Sequence, residues 1–212
     1  MEYMGYELTP QMSEDAYKRD KAELMKAFNP RYVTVTEETP PAGCLGLIKI
    51  TVNSRSYILT GEEDLDPKLV DKPYFYMKVF KGYPAIAPKV YFPENRRIAH
   101  VNTFRKGTQC IDTWGKYSSL KNTAEKTIRA AIFDENVTKY ESPACSALEK
   151  WQKAMARKNA FPMLNPPDLI LRDERGEAAV PSSVQLPPPL PGRRPAAEPR
   201  RTPLPPPLPG RG

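Results

Sequence analysis

The chain has 212 residues, with 32 Lys and Arg against 25 Asp and Glu for a net charge of +7, three cysteines and one histidine. The one histidine and three cysteines, without regular spacing, match neither a usual zinc site nor a disulfide framework, which implies a reducing cytosol. The charge favours an acidic partner surface but does not argue for nucleic acid: the bases are scattered, and beyond Pro181 five Arg against one Glu supply four of the seven charges.

Fifteen of the 25 prolines fall between Pro162 and Pro209. That division separates an N-terminal extension, residues 1–12, and a folded domain, residues 13–160, from a proline-rich basic tail, residues 161–212, with little to bury. No stretch approaches eighteen apolar residues, and no charged segment leads into an apolar one at the N-terminus. The chain is therefore read as soluble and cytoplasmic, with no membrane partner.

In chain order, the first helix is expected to begin at Ser13 as its cap, with Ala16, Tyr17, Leu24 and Phe28 on its apolar side, and to stop at Asn29-Pro30. Lys18, Arg19, Lys21 and Lys26 make a basic strip on its outer face, either a solvated face or a docking surface. Tyr32 to Thr36 alternates and is rich in β-branched residues, which reads as a strand. Two further strands, Leu45 to Val52 and Ser56 to Thr60, are expected to form a hairpin through Asn53-Ser54-Arg55. Residues 73–80 and 89–92 complete an antiparallel β-meander, and the prolines of Tyr83-Pro84-Ala85-Ile86-Ala87-Pro88 forbid ladder pairing between those last strands.

Past an irregular loop, Asn122 or Thr123 is expected to cap a helix whose apolar face carries Ala124, Ile128, Ala131 and Ile132. Ser142-Pro143 is expected to start another through Leu148, Trp151 and Met155. The fold class is α+β, antiparallel strands flanked by helices.

The loop carries the chemistry. Between His100 and Asp112 lie the single histidine and Cys110. A thiol can serve in covalent acyl transfer because it reacts as the thiolate and forms a thioester. Asn102, eight residues upstream, can bring an amide donor beside the sulfur, where a tetrahedral oxyanion would form, and His100 reads as a brace of the loop rather than as a base. The alternative is a buried structural cysteine beside a structural histidine. Cys145, expected in the first turn of a helix, is a rival thiol but reads as structural, and Cys44 is weaker still.

The order of helix, antiparallel strands, Tyr-Pro-x-x-x-Pro, His-x-Asn, Cys and helices resembles the ubiquitin-conjugating enzyme family over about residues 13–157. Arg19-Asp20-Lys21-Ala22-Glu23-Leu24 looks like the family's first helix, and Tyr83-Pro84 with Pro88 like its proline-rich turn. His100-Val101-Asn102 is similar to its His-Pro-Asn, Asn102 to Cys110 keeps the eight-residue step, and Cys110-Ile111-Asp112 matches Cys-hydrophobic-Asp. Val101 in place of proline, Ala85 in place of a bulky residue and the early Trp114 are departures that resemble divergent members, such as those of bacterial ubiquitin-like conjugation operons.

The resemblance implies a carrier of a ubiquitin-like protein with Cys110 as its thioester site. It further implies that Asn102 stabilises the oxyanion or the loop, that His100 orders the loop, and that Asp112 and Ser142 shape the acceptor's approach. Lys18, Arg19 and Lys21 would dock an activating enzyme, and no metal or nucleotide cofactor is required of this chain. Two other classes stay open: a cysteine hydrolase with His100 as its base, and a non-catalytic scaffold of the same fold.

The tail repeats Leu186-Pro187-Pro188-Pro189-Leu190-Pro191-Gly192-Arg193 identically as Leu204 to Arg211. Proline runs adopt the polyproline II helix, and Pro188, Pro191 and Arg193, then Pro206, Pro209 and Arg211, present the Pro-x-x-Pro-x-Arg pattern read by a polyproline-binding domain. A stiff basic spacer without a reader is the alternative.

Overall fold

The computed structural model describes residues 2–3, 6–93, 96–111, 113–115, 117–138 and 140–161. Asp112 and both proline repeats, with Pro188, Pro191, Arg193, Pro206, Pro209 and Arg211, lie outside them. Among the described residues, no helix is long and apolar enough to cross a membrane.

The architecture is α+β with antiparallel strands throughout. Two short strands, β1 (Glu2–Tyr3) and β2 (Tyr6–Glu7), pair with each other ahead of helix α1 (Pro10–Ala27). The helix starts earlier than the sequence suggested. Thr9 caps it, accepting the Met12 N–H at 3.2 Å, and Pro10 occupies the first turn, where no backbone N–H is needed. Ser13 is instead buried inside the helix, where its hydroxyl accepts the Gly82 N–H at 3.0 Å.

The main sheet has the order β3 (Val33–Glu38), β4 (Cys44–Val52), β7 (Tyr74–Phe80), β8 (Lys89–Tyr91). Period-two alternation points Val33, Ile48, Ile50, Val52, Phe75, Met77, Val79 and Val90 to one side, where all are buried in a single core with Tyr17 and Leu24 of α1. Helix α2 (Leu120–Ala131) joins that core through Leu120, Ala124, Ile128 and Ala131, and Lys121 pairs with Glu23 of α1 at 3.3 Å. Its cap is Ser119, which accepts the Asn122 N–H at 3.1 Å; Asn122 and Thr123 lie inside the helix, and Thr123 is buried.

The expected hairpin of β4 with the next strand does not form. Both edges of β4 are taken, by β3 and β7, so β5 (Arg55–Thr60) pairs elsewhere, between β6 (Lys68–Asp71) and β9 (Arg96–Ile98) in a second, three-stranded sheet. Asn53 makes the crossing: its N–H donates to the Tyr32 carbonyl at 2.7 Å, and its side-chain amide donates to the Pro30 carbonyl at 3.2 Å and the Thr34 hydroxyl at 3.0 Å. The meander is thus interrupted by an excursion into a second sheet.

Helix α3 (Glu149–Arg157), preceded by a 3-10 turn over Ser146–Leu148, also starts later than Ser142-Pro143 suggested. The Cys145 N–H donates to the Val101 carbonyl at 2.9 Å, and Cys145 precedes the 3-10 turn in a non-helical conformation. Phe161, expected to open the tail, still belongs to the fold, since its ring stacks on Phe133 with centroids 4.2 Å apart.

Gly46 faces inward at a bulge in the β4–β7 pairing, and a Cβ there would lie 1.9 Å from the Tyr17 phenolic oxygen. That phenol donates to Glu37 at 3.1 Å, and the Lys21 ammonium holds the same carboxylate at 2.8 Å. Gly46→Ala is therefore expected to push the Tyr17 ring out of its seat and lower stability by about 1–3 kcal/mol, read by urea denaturation. A variant as stable as the parent would show that the ring moves without cost.

Candidate active site

The segment after β9 is held from several directions. The Ala99 N–H bonds the Tyr57 carbonyl of β5 at 2.9 Å, and the Val101 N–H bonds Gln152 Oε1 of α3 at 3.0 Å. Ala99 and Val101 are fully buried in a small core with Leu59, Cys145 and Leu148. The chain then turns back on itself. Thr103 and Gln109 bridge, their side chains hydrogen-bond at 3.0 Å, and Gly107 turns the tip with φ +74. A Cβ at Gly107 would meet the Arg96 and Phe92 carbonyls at 3.3 and 3.4 Å, so the turn needs glycine for its space and its φ.

This fold-back brings Cys110 beside Asn102: the Cys110 N–H donates to the Asn102 carbonyl at 3.0 Å. Cys110 is half-buried. The Asn102 side chain donates from Nδ2 to the Val137 carbonyl at 2.6 Å, which ties the loop to the turn after α2. Beside Cys110, residues Ile111, Thr113, Asn122, Lys126 and Val137 help line a cleft of about 280 Å³.

His100 is fully buried, against the Phe133 ring. Its Nδ1 accepts the Asn102 N–H at 3.2 Å, so the ring proton sits on Nε2 and is donated to the Thr138 hydroxyl at 3.1 Å, which in turn donates to the Asp134 carbonyl at 3.2 Å. Burial pushes the His100 pKa down from 6.5 to about 3, keeping the ring neutral. With both nitrogens engaged and the ring removed from water, His100 has no lone pair to offer a thiol. Thr138 and Gln152, whose Nε2 also reaches the Thr138 hydroxyl at 3.4 Å, complete the brace. Nothing in the sequence marked these two, because a threonine after a 3-10 turn and a glutamine inside a helix carry no local signal of a partner distant in sequence.

Ser142 is exposed, three residues before Cys145, whose bond to Val101 carries that stretch to the flank of the loop. Cys145 itself is 3 % exposed, its sulfur 4.0 Å from the buried Arg97 guanidinium, and Cys44 lies half-buried in β4. On α1, Lys18 and Arg19 are exposed, with Lys18 3.8 Å from Glu14 and Arg19 2.8 Å from Asp20, whereas Lys21 is drawn onto Glu37. The Tyr83-Pro84 turn is anchored twice: the buried Tyr83 hydroxyl donates to Asp20, and Trp114 Nε1 donates to the Pro84 carbonyl at 2.7 Å. Trp114 thereby fastens the segment that follows Cys110.

No family model and no curated protein matches the chain. Among solved structures, one described as S. cerevisiae Ubc12 is similar to it at 17% sequence identity and a TM-score of 0.46, over 75% of this chain and 84% of that one.

Proposed function

We propose that the chain is a carrier of a ubiquitin-like protein, of the divergent kind suggested by Val101 where the family has proline. The Cys110 thiolate would attack the thioester carbonyl of a ubiquitin-like protein held on an activating enzyme. The tetrahedral intermediate then expels the enzyme's thiolate and leaves the carboxyl group on Cys110. An amine of the target attacks this new thioester, loses a proton and releases the Cys110 thiolate. The observation that carries the reading is the bracing of the loop: side chains and carbonyls from β5, α3 and the turn after α2 fix residues 99–102 while Cys110 stays half-buried beside the cleft.

The neutral, withdrawn His100 favours transfer from an already activated thioester over a hydrolase, which would need a base for its thiol. Asp112 and Ser142 are assigned to the acceptor's approach. Lys18 and Arg19, with Lys21 behind them, are assigned to the activating enzyme, and the two Pro-x-x-Pro-x-Arg repeats to a polyproline-binding domain.

The test is a charging assay: the protein with ATP and a cognate activating enzyme and ubiquitin-like protein, run on a gel with and without reductant. An adduct heavier by one partner that disappears with thiol is the expected result. Failure with every cognate set would return the chain to the scaffold reading, to be pursued from its tail.

Asn102→Ala removes the bond to the Val137 carbonyl and is expected to lower stability by about 1 kcal/mol. It should also slow discharge of the thioester to free lysine, while alkylation of Cys110 by a small reagent continues at the parental rate. Parental discharge would remove Asn102 from the mechanism.

A further inference from the structure

The side of the main sheet turned away from the core has a composition of its own. Register places Thr36, Lys49, Tyr76 and Tyr91 in one row across all four strands. Thr34, Thr51 and Tyr74 form the row on one side of it, and Glu38, Leu47, Lys78 and Lys89 the row on the other. The Tyr74 and Tyr76 ring centroids are 5.8 Å apart and those of Tyr76 and Tyr91 5.6 Å, while the Lys49 ammonium lies 4.4 Å from the centre of the Tyr74 ring. The tyrosines, Lys49 and Lys78 are half-buried, and Lys89 is exposed.

Neighbouring aromatic rings on a rigid sheet, with one ammonium over the Tyr74 ring and two more lysines in the next row, match what an unpaired nucleic acid strand needs. Every base has a π-face that stacks on an aromatic ring, and the phosphates that follow it find ammonium groups. Three lysines stand against one glutamate on this face, so the charge is complementary to a polyanion. Threonine hydroxyls at Thr36 and Thr51 add hydrogen-bonding groups for sugar or base edges. An acidic peptide would use the lysines but would add nothing to the paired Tyr76 and Tyr91 rings. A duplex would use the phosphate contacts alone, because its bases are already stacked.

We infer that the outer face of the β3-β4-β7-β8 sheet binds single-stranded nucleic acid, bases on Tyr76 and Tyr91 and backbone along Lys49, Lys78 and Lys89. The inference does not depend on the carrier reading, since the face is built from different residues than the Cys110 loop.

Fluorescence anisotropy of the full-length chain with labelled oligouridine of about twelve nucleotides, at low and moderate salt, tests it. Single strand should bind at least about tenfold tighter than duplex of equal length, with Tyr76→Ala and Tyr91→Ala each weakening binding about tenfold. Tyr76→Phe, which keeps the ring, should retain it. Lys49→Gln and Lys89→Gln should each reduce the slope of log affinity against log salt by about 0.7. Circular dichroism of the same variants separates loss of binding from loss of fold.

Two results would overturn the inference. One is the absence of binding to single strand, and a second is equal binding by parent and by folded Tyr76→Ala, which would place the contact on the tail arginines.

Discussion

Cys110→Ala is expected to form no reductant-sensitive adduct in the charging assay, and Cys110→Ser to form one that survives reductant but is cleaved by mild alkali. The chemistry is direct. A serine oxygen in place of sulfur gives an oxyester, a poorer acyl donor than a thioester and inert to thiol exchange, so a stable Cys110→Ser adduct would locate the acyl group on this side chain. Cys145→Ala and Cys44→Ala should charge like the parent. Cys145 is 3 % exposed, shut between Val101 and Leu148, and Cys44 lies in β4 in register with Phe80. A Cys110→Ala protein that still gave a reductant-sensitive adduct, lost on replacing Cys145, would move the acyl group to Cys145. That outcome would make the bracing of the His100 loop a purely structural matter.

The second large effect is acid destabilisation centred on His100. In the folded protein burial lowers its pKa to about 3, while in the unfolded chain the ring titrates near 6.5. Below pH 6.5 the unfolded state takes up a proton that the folded state refuses, so stability is fully present above that pH and falls as pH drops towards 3. The linkage slope of about 1.4 kcal/mol per pH unit makes the loss about 2 kcal/mol by pH 5. Urea denaturation at pH 7.5 and pH 5 should show that difference in the parent and a much smaller one in His100→Gln. Glu37, lowered from 4.5 chiefly by its hydrogen bond from Lys21, begins to lose its contribution near pH 5, but it does so equally in parent and variant and drops out of the comparison. Asp64, held down to about 2 by the Thr60 and Asp66 backbone N–H groups and the Thr60 hydroxyl, loses its contribution only as pH falls from 3.8 towards that value. An unchanged pH dependence in His100→Gln would show that the ring is protonated in the folded protein, and the assigned network through Thr138 would be wrong.

Local sequence signals placed most of the strands and the chemically distinctive loop. β3, β4 and β7 lie where alternation and β-branched residues put them. The eight-residue step from Asn102 to Cys110 is closed by a backbone hydrogen bond because Gly107 allows a tight reversal between them. Helix starts were less legible, since several residues near each start can cap and burial decides which one does. Ser13 lost that role to Thr9 once its hydroxyl was committed to Gly82, and Asn122 and Thr123 lost it to Ser119. Ser142-Pro143 has the composition of a helix start, but the Cys145 N–H is taken by the Val101 carbonyl, and helical turns begin only at Ser146.

What the sequence determined by itself is therefore what depends on neighbours along the chain: alternation, the prolines that end ladders, the glycine at the loop tip and the repeat in the tail. Tertiary structure alone decided which strand edges were free, which sent β5 to a second sheet, and which partners the buried His100 would find in Thr138 and Asn102. It also decided that lysines scattered along the sequence would share one sheet face with three tyrosines. The physical reason is the same in each case: pairing, burial and surface charge are set by residues distant in sequence, and only folding brings them within range.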